Sequence, residues 1–402
     1  MRVVQINITY GRGSTGIIAR LIADMLKANG DEPYVAYDGY NNYHVDNDYP
    51  IGNKWFYRIH EKLFTKLFDR QGFGSYLPTK GLCLWLDKVK PDIIHLHNLH
   101  GSYINLPLLF KYINKHNIPV VMTLHDCWTM TGHCYHFDFV GCERWKTECY
   151  ECPLHSKYPV SIGPDCSKRN YRKKRALFTS VERMHVVSVS YFIDRIVKDS
   201  YLNKYPHTVL YNGIDISVFK PSENNLRSEL DISEDKIILL GVSSGWSDKK
   251  GLSEMLWLSE DPKFQVILIG AQDELVERLP KKLIALRRTE SQKQLAEYYT
   301  MADVFVNPTY NDSFPTVNLE ALACGTPVVT YCTGGSPEAI DNRTGVVVER
   351  GDRESLRTAV LSLITRDREG LKYDCRKRAE EYFDQNKCYK GYLDIYKQVR
   401  IS

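Results

Sequence analysis

Long hydrophobic runs are missing from this chain of 402 residues. None approaches the roughly 20 consecutive apolar residues that a membrane-spanning helix needs. Excess charge is missing too. The 53 Lys and Arg against 49 Asp and Glu leave a net charge of +4, too little to suggest a nucleic-acid partner. There is no internal repeat and no low-complexity stretch. Nor is there a secretory signal, because an apolar strand begins almost at the first residue. The expectation is a cytoplasmic protein in a reducing compartment, where cysteines stay thiols or bind metal rather than pair as disulfides. The glycine-rich loop Gly11-Arg-Gly13-Ser14-Thr15-Gly16 lacks the Gly-Lys-Ser/Thr that completes a Walker phosphate loop.

Hydrophobic residues make up 43% of the chain, enough for proper cores, and the length allows two or three domains. The most informative stretch runs from Asn307 to Thr330. Phe305-Val306 and Val328-Val329 read as short buried strands on either side of a loop and a helix. Pro315 suits the first helical turn, where its missing N–H costs nothing, and Gly325 suits the position past the helix end. Asp312 lies just before the helix and Glu320 inside it. A helix N-terminus offers unpaired N–H groups and favours a phosphate, while two nearby carboxylates suit sugar and ribose hydroxyls. The stretch reads as a nucleotide-sugar site, against the plainer reading of a buried βαβ unit with two incidental acids.

The run Asp312-Ser313-Phe314-Pro315-Thr316, with Glu320-Ala-Leu-Ala-Cys-Gly325-Thr-Pro-Val-Val after it, resembles the Glu-x7-Glu signature of retaining glycosyltransferases of family 4. The resemblance implies the α/β GT-B fold, two Rossmann-like domains with a cleft between them. The chain departs from the signature at Asp312, which is one methylene shorter than the usual Glu, and at Pro315, where a small residue is usual. Other motifs follow in order. Val209-Leu-Tyr-Asn212-Gly-Ile-Asp215 resembles the family's entry into its second domain, and Asn212 would lie near the donor. Ser243-Ser244-Gly-Trp-Ser-Asp-Lys249-Lys250-Gly-Leu252 stands where the family has a basic loop. The resemblance implies that Lys250 pairs with the donor diphosphate. The family's arginine in this loop is missing, its place falling at Gly245. Lys249, Ser244 or backbone N–H groups then supply the second contact, or Lys249 is a surface lysine. Arg287 or Arg288, after the strand Ile284-Ala-Leu, would reach the nucleotide base or stand as plain surface residues.

In the N-terminal half, the strand Arg2–Ile8 leads through the Gly11–Gly16 loop into an expected helix, Ile17 to Asn29. Gly13, Ser14, Thr15 and Gly16 let backbone approach a ligand closely. Two further strands end in histidine: Asp92-Ile-Ile-His95-Leu-His97, and Val120-Val-Met-Thr-Leu-His125-Asp126. Ligands bind outside the carboxyl ends of parallel strands. His95 reads as a core residue. The resemblance implies that His125 hydrogen-bonds the transferring sugar or its leaving group, with Asp126 and His97 as lesser candidates.

Eleven cysteines occur, and Cys134, Cys142, Cys149 and Cys152 crowd one segment of an insertion over 127–166. Four thiolates with one close pair suit a structural tetrahedral zinc; buried free thiols are the alternative. The run Thr123-Leu-His-Asp-Cys-Trp128, with Gly132-His-Cys134 after it, looks most like bacterial exopolysaccharide enzymes of the colanic-acid type. Trp55 to Arg70 has helical period, with Trp55, Phe56, Ile59, Leu63 and Leu67 near one face and Lys54, Arg58, Lys62, Lys66 and Arg70 on the polar side. It reads either as a core-packed helix or as a basic amphipathic helix for an anionic membrane, and a second basic run spans Lys168 to Arg175.

The expected domains are an acceptor domain over 1–205, a nucleotide-sugar donor domain over 206–382, and a C-terminal helix over 383–402 packing back on the first. Lys204–Thr208 would serve as the linker. The expected function is retaining transfer of a sugar from a nucleotide diphosphate sugar to a glycan or polyprenyl-linked acceptor in surface polysaccharide synthesis, peripheral on the inner face of the cell membrane. Lys250, His125, Asp312 and Glu320 would carry the chemistry. No cofactor is expected for catalysis, since the donor half holds no Asp-x-Asp metal motif. A non-catalytic nucleotide-binding relative and a nucleotide-sugar 2-epimerase are the alternatives.

Overall fold

The computed structural model describes residues 1–40 and 48–401. The chain forms two compact units, one of residues 1–210 with 389 onward, the other of residues 211–388. The first is built on seven strands: β1 (Arg2–Ile6), β2 (Glu32–Asp38), β3 (Asp48–Ile51), β4 (Ile93–Leu96), β5 (Val120–Leu124), β6 (Met184–Ser188) and β7 (His207–Val209). They lie in the order β3-β2-β1-β4-β5-β6-β7, every pairing parallel. Val3, Val4, Ile93, Ile94, Val120 and Val121 are fully buried. This explains why the central strands read as continuous apolar runs rather than as alternating ones.

The second unit holds six strands: β8 (Ile237–Val242), β9 (Phe264–Ile269), β10 (Ile284–Leu286), β11 (Val304–Asn307), β12 (Val328–Tyr331) and β13 (Gly345–Val348). Their order is β10-β9-β8-β11-β12-β13, again wholly parallel. In each sheet the strand order reverses once, between β1 and β4 and between β8 and β11. A reversal of this kind opens a crevice at the carboxyl ends of the two strands. The loops that follow these four strands carry most of the residues singled out from the sequence.

Several boundaries differ from expectation. The first strand stops at Ile6, and the helix after it spans Gly13–Ala28, so Gly13, Ser14, Thr15 and Gly16 form its first turn. Lys204–Thr208 is not a linker. Tyr201–Lys204 is a 3-10 turn and His207–Val209 adds a seventh strand beside β6, with the Tyr205 hydroxyl donating to the carbonyls of Phe178 and Val181. The last helix spans Gln385–Ile401. Its Tyr392 and Tyr396 hydroxyls lie 3.0 Å from Thr123 Oγ1 and 2.7 Å from His95 Nδ1, on β5 and β4. Outside the donor half the chain has one Asp-x-Asp triplet, Asp46-Asn47-Asp48. Its first two residues lie outside the described residues.

Candidate active site

In the second unit, β8 leads into a loop and a 3-10 turn, Asp248–Lys250, closed by Gly251 at φ +77°. A Cβ on Gly251 would sit 2.4 Å from the Pro308 carbonyl oxygen, so only glycine lets this turn press on the loop after β11. The contact brings Lys250 to Asp312. Lys250 Nζ lies 2.8 Å from Asp312 Oδ2 and donates to the Asn311 carbonyl at 3.2 Å. Both side chains are partly exposed, so the pair itself adds little stability, about 0–1 kcal/mol. Its importance is positional: a cation and an acid expected at one ligand already touch. Lys249 is partly exposed, and its carbonyl accepts from Tyr310 N at 2.9 Å. Ser244 is exposed, on a loop braced by Ser243 Oγ and the Gly245 backbone.

The helix after β11 spans Thr316–Ala323, with Pro315 as its N-cap and no side-chain cap on its first N–H groups. Uncapped N–H groups at such an end remain available to an anion. Ser313 and Phe314 are buried beneath it, Phe314 stacking on Tyr211 at 4.7 Å. Glu320 stands one turn along and is partly open to solvent. Its Oε2 accepts from the Tyr299 hydroxyl at 2.9 Å. Burial pushes its pKa up to about 7, against which the Tyr299 hydrogen bond works. This carboxyl is therefore part-protonated near neutral pH.

A buried polar network fixes the helix to the sheet. Asn307 Nδ2 donates to Asn318 Oδ1 at 2.8 Å, and Asn318 Nδ2 donates to Ser336 Oγ at 2.9 Å. Ser336 Oγ meets Thr330 Oγ1 at 2.7 Å, and Thr330 Oγ1 donates back to the Asn307 carbonyl. Sequence reading missed these residues and Tyr299. The available signal was Asn318, a polar residue between Val317 and Leu319 in the helix Thr316–Ala323. Asn212, expected near the donor, is buried and donates to the Phe314 carbonyl at 3.5 Å, which ties it to the loop before the helix. Arg288 is exposed just past β10, and the neighbouring Arg287 pairs with Asp273 at 3.3 Å.

In the first unit, Gly13 and Ser14 are exposed, Thr15 is half-buried and Gly16 is buried against Thr9. No side chain caps their helix. The loops after β4 and β5 carry the histidines. His97, expected at the ligand, is buried behind His125 and touches no open surface. Its Nδ1 lies 3.1 Å from His125 Nε2 and its Nε2 lies 3.0 Å from Gln5 Oε1. Gln5 donates its amide Nε2 to the Ala19 carbonyl at 2.9 Å, which leaves Oε1 to face His97. His97 Nε2 must then carry the proton. Burial holds His97 well below its ordinary pKa, so its Nδ1 is bare and accepts from His125 Nε2–H. His125 is itself held neutral, its pKa lowered to about 4 chiefly by burial, with Asp126 opposing and His100 assisting. His125 Nδ1 is therefore a bare acceptor.

Asp126 Oδ2 lies 2.9 Å from His100 Nε2, and its Oδ1 accepts from Trp128 N at 2.8 Å. Burial would raise its pKa, but His100, His136 and the Trp128 N–H hold it below the usual carboxylate range. His95 is a core residue, bonded to Thr123 and Tyr396.

The Cys-rich insertion packs on polar anchors. His133 Nδ1 meets Asp69 Oδ1 at 2.5 Å, and Asp69 Oδ2 accepts from Cys166 N at 2.8 Å. Lys174, within the second basic run, is buried. It donates to the Trp128 carbonyl at 2.6 Å and lies 3.7 Å over the Trp128 ring. Cys134, Cys142, Cys149 and Cys152 line one small cavity with His133, Phe137 and Trp145. All eleven cysteines are free thiols. Among the described residues, no group of three or more His, Cys, Asp or Glu is placed to hold a metal ion as the side chains stand.

Comparison with known proteins gives this arrangement a context. A colanic acid biosynthesis glycosyl transferase of Escherichia coli (strain K12), WcaC, so named provisionally, is 24% identical over 309 residues, 74% of this chain and 73% of its own. A D-inositol 3-phosphate glycosyltransferase of Geodermatophilus obscurus is 32% identical over 191 residues, 42% of each chain. Among solved structures, the sucrose-phosphate synthase of Thermosynechococcus elongatus superposes with a TM-score of 0.72 at 19% identity, covering 99% of this chain and 98% of that one. Anabaena HepE, solved in complex with UDP-glucose, gives a TM-score of 0.66 at 16% identity, covering 99% and 100%. These share the two-sheet GT-B architecture. The pattern described as Glycosyl transferases group 1 matches residues 252–366, and that described as Glycosyltransferase Family 4 matches residues 16–218. With half its length matched by the latter, the chain belongs to glycosyltransferase family 4 and is a GT-B glycosyltransferase.

Proposed function

We propose that this glycosyltransferase moves a sugar from a nucleotide diphosphate sugar to a hydroxyl of a glycan or polyprenyl-linked glycan, with retention at the anomeric carbon, in bacterial surface polysaccharide synthesis. One observation carries the donor class: Lys250 and the uncapped start of the helix Thr316–Ala323 stand after β8 and β11, on either side of the strand-order reversal. A cation beside free N–H groups suits a diphosphate leaving group. HepE has been solved with UDP and with UDP-glucose, and the E. coli relative is named for colanic acid biosynthesis, both in keeping with this reading.

In this mechanism the C–O bond from the sugar to the diphosphate breaks while the acceptor oxygen bonds the same face of the anomeric carbon. The acceptor's proton passes to the departing phosphate oxygen. Asp312 is a poor nucleophile because Lys250 holds its carboxylate, so a covalent sugar intermediate is disfavoured. Lys250 and the helix N–H groups supply the charge that stabilises the diphosphate, and catalysis needs no divalent cation. Glu320 takes the ribose hydroxyls as a carboxylate and Asp312 positions the sugar; in the first unit, the bare Nδ1 of His125 accepts from a substrate hydroxyl. A structural zinc held by Cys134, Cys142, Cys149 and Cys152 belongs to the same reading as a part of the scaffold, with no step in the reaction.

A transfer assay tests the proposal. Radiolabelled UDP-, GDP- and ADP-sugars are incubated with the protein and with lipid and polysaccharide extracts of a capsule-forming bacterium. One donor should yield a labelled glycan with retained anomeric configuration, and Lys250→Ala should lower the rate by roughly 100-fold or more. Free sugar or a sugar epimer without acceptor would mean an epimerase, and nucleotide binding without turnover on any acceptor would mean a binding relative.

A further inference from the structure

The segment from Lys54 to Leu67 is turned inside out for a helix on a soluble domain. It is α-helical over Lys54–Ile59 and a wider π-helix over His60–Leu67. Its most buried residues are polar, set beside the half-buried rings of Phe56, Tyr57 and Phe64. His60 and Thr65 are buried, His60 Nδ1 lying 2.7 Å from Ser75 Oγ and Thr65 Oγ1 lying 3.1 Å from Ser102 Oγ. Glu61 accepts from Ser102 Oγ at 2.7 Å. Its outward face is apolar: Trp55 is 74% exposed, Ile59 48%, Leu63 45% and Leu67 42%, with Phe68 after them at 48%. A helix serving a core would do the reverse.

The outward face also has a repeat. Lys54-Trp55, Arg58-Ile59, Lys62-Leu63 and Lys66-Leu67 are four basic–apolar pairs at a spacing of four, all eight residues exposed. A spacing of four over-rotates on an α-helix of 3.6 residues per turn, so such a stripe would wind around it. The change to π-helical winding, with more residues per turn, turns the later pairs back and keeps the stripe on one side. The stripe is continued by a neighbouring loop. Ile162 N donates to the Lys66 carbonyl at 2.9 Å, and Ile162 is 78% exposed. Among the described residues, Arg58, Lys62 and Lys66 have no carboxylate within ion-pair reach, and the segment's one acid, Glu61, faces inward.

We propose that this stripe docks the protein on an anionic lipid bilayer, lying in the headgroup layer with Trp55, Ile59, Leu63 and Leu67 at the acyl boundary. Each basic residue lies beside an apolar one along the stripe, so its stem can run past the buried side chain and its charge reach a lipid phosphate. Trp55 has the amphipathic ring favoured at that depth. The charge is of one sign, complementary to an acidic leaflet, and about four basic residues there give binding that falls steeply with salt. Among the described residues no helix is long and apolar enough to cross a membrane, so the contact is with the surface. This goes beyond the proposed function and does not depend on it, because it is read by binding and not by turnover.

The test is co-sedimentation of the full chain with vesicles of phosphatidylcholine alone or with about one-third phosphatidylglycerol. Two triple variants are compared with the wild type: Trp55→Ser with Ile59→Ser and Leu63→Ser, and Arg58→Ser with Lys62→Ser and Lys66→Ser. All six sites are exposed, and unchanged thermal melts check that the variants fold. The wild type should bind the anionic vesicles at least tenfold more tightly than the neutral ones, and each variant should lose at least tenfold. No binding to anionic vesicles, or equal binding by all three proteins, would overturn the proposal. So would self-association of the wild type in solution that the apolar variant abolishes, which would make the stripe a contact between copies of this chain.

Discussion

Three hydrogen bonds in a row decide which nitrogen His125 offers to a ligand. The Ala19 carbonyl orients Gln5, Gln5 fixes the proton of His97, and His97 fixes that of His125. In spectra of protein labelled with 15N-histidine, His125 should show a protonated Nε2 and a bare Nδ1 at neutral pH. A proton on Nδ1 would contradict the relay. His97→Phe should leave His125 a mixture of tautomers and slow transfer by about tenfold, with nucleotide affinity unchanged, since His97 acts through His125. At this scale the sequence was partly legible. His125 could be picked out because it ends a strand, and Lys250 and Asp312 from their motifs. The burial of His97 could not be seen, because alternation along a strand does not reveal which side chain stands behind which, and that of Asn212 could not because it lies in a loop with no period to read. Gln5 was the overlooked signal, a lone amide in the strand Val3-Val4-Gln5-Ile6.

Among elements, the strand–loop–helix–strand unit around Asp312 and Glu320 was legible because Pro315 and Gly325 bracket its helix with local rules. The stripe on Lys54–Leu67 was visible as a period but its direction was not. Sequence periodicity set the basic residues opposite the apolar ones, whereas the structure exposes both on one side, and only the partners of His60, Glu61 and Thr65 show which side turns inward. The Cys-rich insertion was the least legible element. It has little apolar pattern, and it is held by Asp69, far back in the sequence, and by Lys174, a buried residue of a run that reads as a charged surface. Metal analysis of protein purified without added metal or chelator decides the zinc proposal. About one zinc per chain, falling in a Cys134→Ser/Cys152→Ser variant, is the expected result. A metal-free protein whose four thiols all react on unfolding would reduce the cluster to a thiol-lined cavity.

For the whole molecule, each of the two sheets presents its candidate residues at its own strand-order reversal. That division was legible from the order of motifs, although the linker reading of Lys204–Thr208 mistook an edge strand for a connection. The central claim is that the second unit holds a nucleoside diphosphate between Lys250, the helix start at Thr316 and Glu320. Glu320 adds a pH signature. Burial raises its pKa to about 7, and ribose hydroxyls need it as an ionised acceptor. Binding should therefore expel a proton and strengthen as pH rises through 7. The most direct measurement is calorimetric titration of UDP, GDP and ADP into wild type, Lys250→Ala and Glu320→Gln at pH values on either side of 7. The account predicts that one nucleotide binds and that each variant weakens it by about tenfold or more, with clearly more proton release near pH 7 in the wild type than in Glu320→Gln, where only the nucleotide's own terminal phosphate titrates. Binding that neither variant alters, or no binding of any of the three, would contradict it.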